Sequence, residues 1–165
     1  MPPPASAGTI EGMDRPLRVA VGSDTGHETA TAVADYLESL GCQVVRCGAV
    51  DGPDTAWPDV ADQVARLVAQ HAVDTGVLCC WTGTGVSIAA NKVPGIRAAL
   101  CGDAETARGA RRWNDANVLA IGLSNTAADT ATGIVDAWLD AGGVDADEIG
   151  NVRRIHELEE RYRSR

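Results

Sequence analysis

Long apolar runs, a basic surplus, metal-spaced cysteines and nucleotide fingerprints are all missing from this 165-residue sequence, and each absence removes a class of function. No apolar stretch approaches the ~20 residues that span a bilayer, so no membrane role is expected. With 14 basic against 23 acidic residues, net −9, the chain lacks the basic face that nucleic acid demands. A small anionic substrate stays open, because a few Arg side chains and helix N-termini can hold one phosphate on an acidic protein. The five Cys (Cys42, Cys47, Cys79, Cys80 and Cys101) are odd in number and form no CxxC or CxxxH cluster. That spacing speaks against a secreted disulfide framework and against a metal site, and for reduced cysteine in the cytoplasm. Neither GxGxxG nor GxxxxGKS/T occurs, which disfavours dinucleotide and P-loop readings. Phe is absent too, and that absence carries no functional message. The opening MPPPASAGTIEGMDRP lacks the basic start and apolar stretch of a signal peptide, and residues 1–16 are expected to be a disordered lead-in.

What is present is an alternation of strand and helix signals, five times over. RVAVGSD (18–24) is a short apolar run ending in a turn, and residues 27–40 follow with Ala30, Val33, Ala34, Leu37 and Leu40 on one helical face. Gly41 is a natural stop. CQVVRCGAV (42–50) reads as a second strand. The loop DGPDTAWP leads to a helix expected from about Asp59 to His71. TGVLCCW (75–81) is apolar on both faces, as in a central parallel strand. A helix opens after TGTG, and IRAALCGD (96–103) and NVLAIGL (117–123) are the last two strands, with helices over 104–113 and 126–141. Such alternation predicts one α/β domain over 17–146, a doubly wound, Rossmann-like, five-stranded parallel sheet in three αβα layers. Residues 147–165 read as a polar helix with too little apolar face for the core, expected at a subunit interface.

Ligands in such sheets sit at the C-terminal ends of the strands. That rule selects Ser23–Asp24, the Trp57 loop, Cys80–Gly85 and Cys101–Asp103. The segment CCWTGTGVSIAANK (79–92) carries the sharpest signal. Its Gly-rich strand-to-helix turn offers free N–H groups to an anion. A thiol just before that turn gains acidity from it and can act as a base, although a lone Cys is more often simply packed. Cys79 and Cys80 alternate across the sheet, so one of them at most reaches the site. Arg108, Arg111 and Arg112 form a basic turn, read either as a solvated helix face or as a phosphate grip.

Ser87–Lys92 (SIAANK), PGIRAAL (94–100), NDANVLAIG (114–122), Ser23–Asp24 and TAWP (55–58) together resemble the ribose-5-phosphate isomerase B / galactose-6-phosphate isomerase family, over roughly Arg18 to Trp138. The resemblance implies cofactor-free, metal-free interconversion of aldose and ketose phosphates through an enediol(ate). Carried over, Cys80 moves the proton between C1 and C2, and Thr82 assists transfer at the sugar oxygens. The backbone of Trp81, Gly83, Thr84 and Gly85 holds the oxyanion. Asp24 takes sugar hydroxyls or shares the acid–base work. Trp57, Ser87, Trp113 and Asn114 contact substrate. Arg154 holds phosphate across a subunit interface, with Arg153 and His27 as further phosphate contacts. A homodimer or homotetramer is implied.

The departures are specific. The family's ring-opening His is Trp113 here, which cannot accept a proton. The His after the first-strand Asp is Thr25, with His27 nearby as a stand-in. The second tail Arg is Gly150, and the loop's opening Gly is Trp81. The expected substrate is therefore a small sugar phosphate that is already open, a tetrose phosphate, with ribose 5-phosphate as an alternative. The rival expectation is a sugar-phosphate-binding module with a degenerate, non-catalytic site.

Overall fold

A computed structural model describes residues 14–163. The elements are β1 (Arg18–Ser23), α1 (Glu28–Ser39), β2 (Gln43–Gly48), α2 (Trp57–Ala69), β3 (Thr75–Cys80), α3 (Thr84–Ala90), β4 (Ala98–Leu100), α4 (Ala104–Asn114), β5 (Val118–Gly122), α5 (Ala128–Leu139), a 3-10 turn at Ala146–Glu148, and α6 (Ile149–Arg163). All strands pair in parallel, in the order β2-β1-β3-β5-β4. The fold is the expected three-layer α/β sheet.

Period-two alternation divides the interior into two cores. Val19, Val21, Val77, Cys79, Leu119 and Ile121 face Val33, Leu37, Ile134 and Trp138 on the side of α1 and α5. Ala20, Leu78, Cys80, Val118 and Ala120 face Val60, Val64 and Val86 on the side of α2 and α3. β3 and β5 are buried along their whole length, which is why their sequences read as unbroken apolar runs. From β1 the chain winds outward to β2, then crosses back to β3. The crossing leaves a crevice at the C-terminal ends of β1 and β3.

Two of the boundaries that differ from expectation have a visible cause. The expected strand 96–103 shortens to Ala98–Leu100. Side chains take over the backbone bonds at its start: Ala98 N donates to Asn91 Oδ1 at 2.8 Å and Asn91 Nδ2 donates to Ala98 O at 2.9 Å. Asn117 does the same for Arg97 N and Gly95 O. The second helix begins at Trp57 rather than Asp59, because Pro58 fits the first turn, where no N–H is needed.

At the termini, residues 1–13 of the expected lead-in lie outside the described residues. Arg15 is tied to the folded unit by a two-bond contact with Asp74 at 2.7 and 2.8 Å. Together with Arg18 it holds the Asp74 carboxyl well below the usual carboxylate range. α6 buries Val152 and is pinned to its own chain by Gly95 N donating to Glu159 Oε1 at 2.8 Å. No described helix is long and apolar enough to cross a membrane.

Candidate active site

Register decides which side chains meet at the crevice. Ser23 of β1 pairs with Cys79 of β3, so Asp24 and Cys80 leave the sheet on neighbouring strands, about 4.8 Å apart. Ser23 Oγ donates to Thr25 O at 2.7 Å and turns the chain out of the strand. Asp24 Oδ1 is shielded from water and has no hydrogen-bond partner among the described residues. Burial raises the Asp24 pKa, backbone hydrogen bonds from its own N–H and that of Thr25 oppose the rise, and the nearby Asp54 carboxylate adds a little to it. A buried acceptor without a donor is uncommon and marks a place where a ligand donor fits. Asp54 itself accepts from Gly26 N at 3.0 Å.

Cys80 is the last residue of β3, 5% exposed, with its side chain on the α2/α3 face. Cys79 is fully buried on the opposite face, where burial pushes its thiol up to about 12. The two adjacent cysteines are thus separated by the sheet.

The loop after Cys80 rests on the end of β5. Leu123 N donates to Cys80 O at 2.9 Å, and Ser124 N donates to Trp81 O at 2.8 Å. Gly83, with φ 74°, caps α3, and a Cβ there would fall 2.5 Å from Leu100 Cδ1 and 2.9 Å from Gly122 N. No other residue can occupy that position unstrained. At Gly85 a Cβ would sit 3.1 Å from the Trp57 ring, so the indole lies directly against the loop. Thr82 Oγ1 and Thr84 Oγ1 are 2.7 Å apart. Ser87 is half-buried, and its N–H donates back to Gly83 O at 3.3 Å. Trp81 is 62% exposed and packs into no pocket of its own chain deeply enough to be buried.

His27 is the N-cap of α1, its Nδ1 accepting from Thr29 N at 3.1 Å. In the neutral ring that bond places the hydrogen on Nε2, which makes the free edge of His27 a donor. As a stand-in ring-opening base it is therefore poorly set, since its acceptor nitrogen is already engaged.

Several candidates from the sequence lie elsewhere in the chain. α4 begins beside the C-terminal end of β4 and runs back along the sheet, on the face opposite α2 and α3. Trp113 and Asn114 end that helix, about 15 Å of axial rise from its start. The Trp113 indole folds back over Gly109, where a Cβ would meet it at 2.6 Å. Trp113 is 53% exposed, and with Leu100, Asp103, Thr106 and Asn114 it lines an open cavity of about 560 Å³ along the β4 edge. A second cavity of about 580 Å³ continues past Asn114 to Ile155, Leu158 and Tyr162 of α6. Arg153 and Arg154 are exposed on α6, Arg153 beside Glu157 at 3.6 Å. Within one chain, then, Trp113, Asn114, Arg153 and Arg154 are not brought to Cys80.

The basic turn on α4 is not one solvated face. Arg111 points inward, donates to Ala116 O and stands 5.3 Å from the Trp138 ring centre, and burial lowers its pKa. Arg112 pairs with Asp145 at 2.9 Å, and Arg108 is exposed. The sequence reading missed Asp54 beside Asp24, the Trp57–Gly85 contact and the Thr82–Thr84 pair. The last had a signal, two Thr flanking one Gly. The other two join residues about 30 apart, with no local pattern to reveal them.

Known sugar-phosphate isomerases resemble this chain over most of its length. The ribose/galactose isomerase family profile matches residues 19–158. The chain is 42% identical over 125 residues to ribose-5-phosphate isomerase B of Escherichia coli, covering 75% of this chain and 84% of that protein. It is 36% identical over 141 residues to the D-erythrulose-4-phosphate isomerase of Pectobacterium atrosepticum, covering 82% and 93% respectively. The structure of ribose-5-phosphate isomerase B from Clostridium thermocellum superimposes with a TM-score of 0.84 at 39% identity, over 88% of this chain and 99% of that one. Match over most of the length, together with the shared sheet and its loop-bearing third strand, places the chain in the ribose/galactose isomerase family of sugar-phosphate isomerases.

Proposed function

We propose that this protein interconverts an aldose and a ketose phosphate of four carbons through an enediol(ate), with Cys80 as the carbon base. The observation that carries the reading is the register that brings Cys80 and Asp24 out on neighbouring strands, with Asp24 Oδ1 shielded and without a hydrogen-bond partner among the described residues. The Cys80 thiolate takes the proton from C2 and returns it to C1. Thr82 carries a proton between the two sugar oxygens. Backbone N–H groups of Trp81, Gly83, Thr84 and Gly85 meet the charge that develops on oxygen, usually the largest electrostatic contribution. Asp24 Oδ1 accepts from a sugar hydroxyl and regains the bond it lacks. His27 Nε2–H is a donor for phosphate oxygen. The chemistry runs on these side chains as a cytoplasmic reaction without a cofactor.

The four-carbon preference rests on Trp113. An indole has one donor and no acceptor, so it cannot take the anomeric proton in ring opening. A tetrose 4-phosphate cannot close a normal ring through its phosphorylated end and needs no such step. The relative from Pectobacterium that acts on D-erythrulose 4-phosphate is in line with this choice.

The far placement of Trp113, Asn114 and Arg154 supports a composite site, with a second copy bringing these residues to the Cys80 crevice. Exposed Trp81, Ile88, Leu100 and Trp113 provide the apolar surface such a homodimer would cover.

The deciding experiment compares kcat/KM for tetrose, pentose and hexose phosphates in the parent and in Trp113→His, and follows deuterium loss at C2. We expect the tetrose to lead in the parent and the pentose to gain in the variant. Equal parent rates on ribose 5-phosphate would defeat the four-carbon assignment. Binding without exchange on any sugar would show a module without turnover instead.

A further inference from the structure

We infer that Thr84 is a positioning residue whose hydroxyl sets the proton of Thr82 for transfer between the two sugar oxygens. This rests on the proposed isomerase reading and adds a residue to it. The two hydroxyl oxygens lie 2.7 Å apart, the usual length of an O–H···O bond. Each hydroxyl has one hydrogen and two acceptor sites. One hydrogen is therefore shared within the pair and the other is left to point outward. Both side chains are exposed, so the outward hydrogen is open to solvent and free to meet a bound substrate.

The spacing is enforced by the backbone between them. Gly83 is held left-handed at φ 74° against Leu100 and Gly122, and Gly85 is braced by the Trp57 ring. Thr84 opens α3, and the Gly83 cap has no side chain to compete for either hydroxyl.

The chemistry needs this arrangement. In the aldose-to-ketose direction, Thr82 gives its hydrogen to O1 as the carbonyl becomes a hydroxyl. It receives the hydrogen of O2 as the new carbonyl forms. Cys80 carries the carbon proton from C2 to C1, so atoms and charge balance with no further reactant. Between giving and receiving, the Thr82 oxygen carries partial negative charge. A hydrogen bond donated by Thr84 into that oxygen is strongest at that moment and lowers the barrier without tightening ground-state binding.

The test uses Thr84→Val, Thr84→Ser, Thr82→Val and the double variant Thr82→Val/Thr84→Val, with erythrose 4-phosphate deuterated at C2. Valine keeps the branched shape and loses the donor. We expect Thr84→Val to lower kcat about tenfold, one good hydrogen bond, with KM within about twofold. The ratio of C2 exchange to net conversion should rise, because the carbon step still runs while the oxygen step lags. Thr84→Ser should stay within about twofold of the parent, and Thr84→Val should cost nothing further in the Thr82→Val background. Equal losses in both backgrounds, a Ser variant as slow as Val, or slower turnover that follows a lower Tm with the exchange ratio unchanged would each overturn the inference. A parent that converts the sugar while Thr84→Val matches it refutes this inference alone. A parent inert toward tetrose, pentose and hexose phosphates refutes the proposed function and this inference with it.

Discussion

Cys80 and Cys79 are adjacent in sequence and separated by the sheet, so they provide an internal control at the residue scale. Cys79 sits among Val21, Val77 and Ile121, and its thiol is pushed up to about 12 by burial, far from useful at neutral pH. Cys80 ends the strand beside Asp24 and the Thr82–Gly85 loop. Cys80→Ala should lower kcat by at least ~10²-fold with little change in substrate affinity, the usual worth of a positioned acid–base group. Cys79→Ala should leave kcat near the parent value and lower stability by about 1 kcal/mol, through a small cavity. Steady-state kinetics and thermal melts of both variants check this. An essential Cys79 with a dispensable Cys80 would invert the assignment.

At the scale of elements, β4 shows how a motif that looks functional can be structural. Asn91 lies in the SIAANK run, and its amide bonds both backbone groups of Ala98 on the outer side of the edge strand. A three-residue edge strand has few ladder bonds of its own, so these two matter. Asn91→Ala should destabilise the fold by about 1–3 kcal/mol, two backbone groups being left to weaker partners. Residual activity per folded molecule should stay close to the parent. Denaturant titration alongside active-site-normalised kinetics separates the two effects, and a stable, inactive variant would give Asn91 a catalytic role instead. α4 makes the complementary point. It carries Trp113 and Asn114 away from the strand ends because a crossover helix must run back to start β5.

For the whole molecule, that direction of travel predicts sharing of sites between chains. Cys80→Ala and Asn114→Ala proteins, each nearly inactive, should recover about one quarter of parent activity when unfolded together in equal amounts and refolded. In a twofold dimer half the molecules are mixed, and each mixed dimer holds one intact site of two. No recovery, or a monomer in sedimentation, would remove the shared-site reading. The exposed belt from Trp81 through Leu100 and Trp113, with Ile155, Leu158 and Tyr162 beyond it, is the surface on which such pairing would act.

Local residue patterns are enough to read the sheet, its helices and the family. Buried parallel strands write themselves as apolar runs, helices as a 3.6-residue period, and the Thr82–Gly85 loop after Cys80 needs residue types that a tight turn at a strand end requires. The same patterns separate Cys79 from Cys80, since alternation across a sheet is a local rule. Which distant residues share space is settled by the packed fold. Asp24 meets Asp54, Trp57 covers Gly85, Asn91 seals Ala98, and Arg111 turns inward onto Trp138 rather than out to a ligand. Each of these contacts depends on strand order and on the direction in which a crossover helix runs. Those are properties of the packed sheet as a whole, and no window of neighbouring residues encodes them.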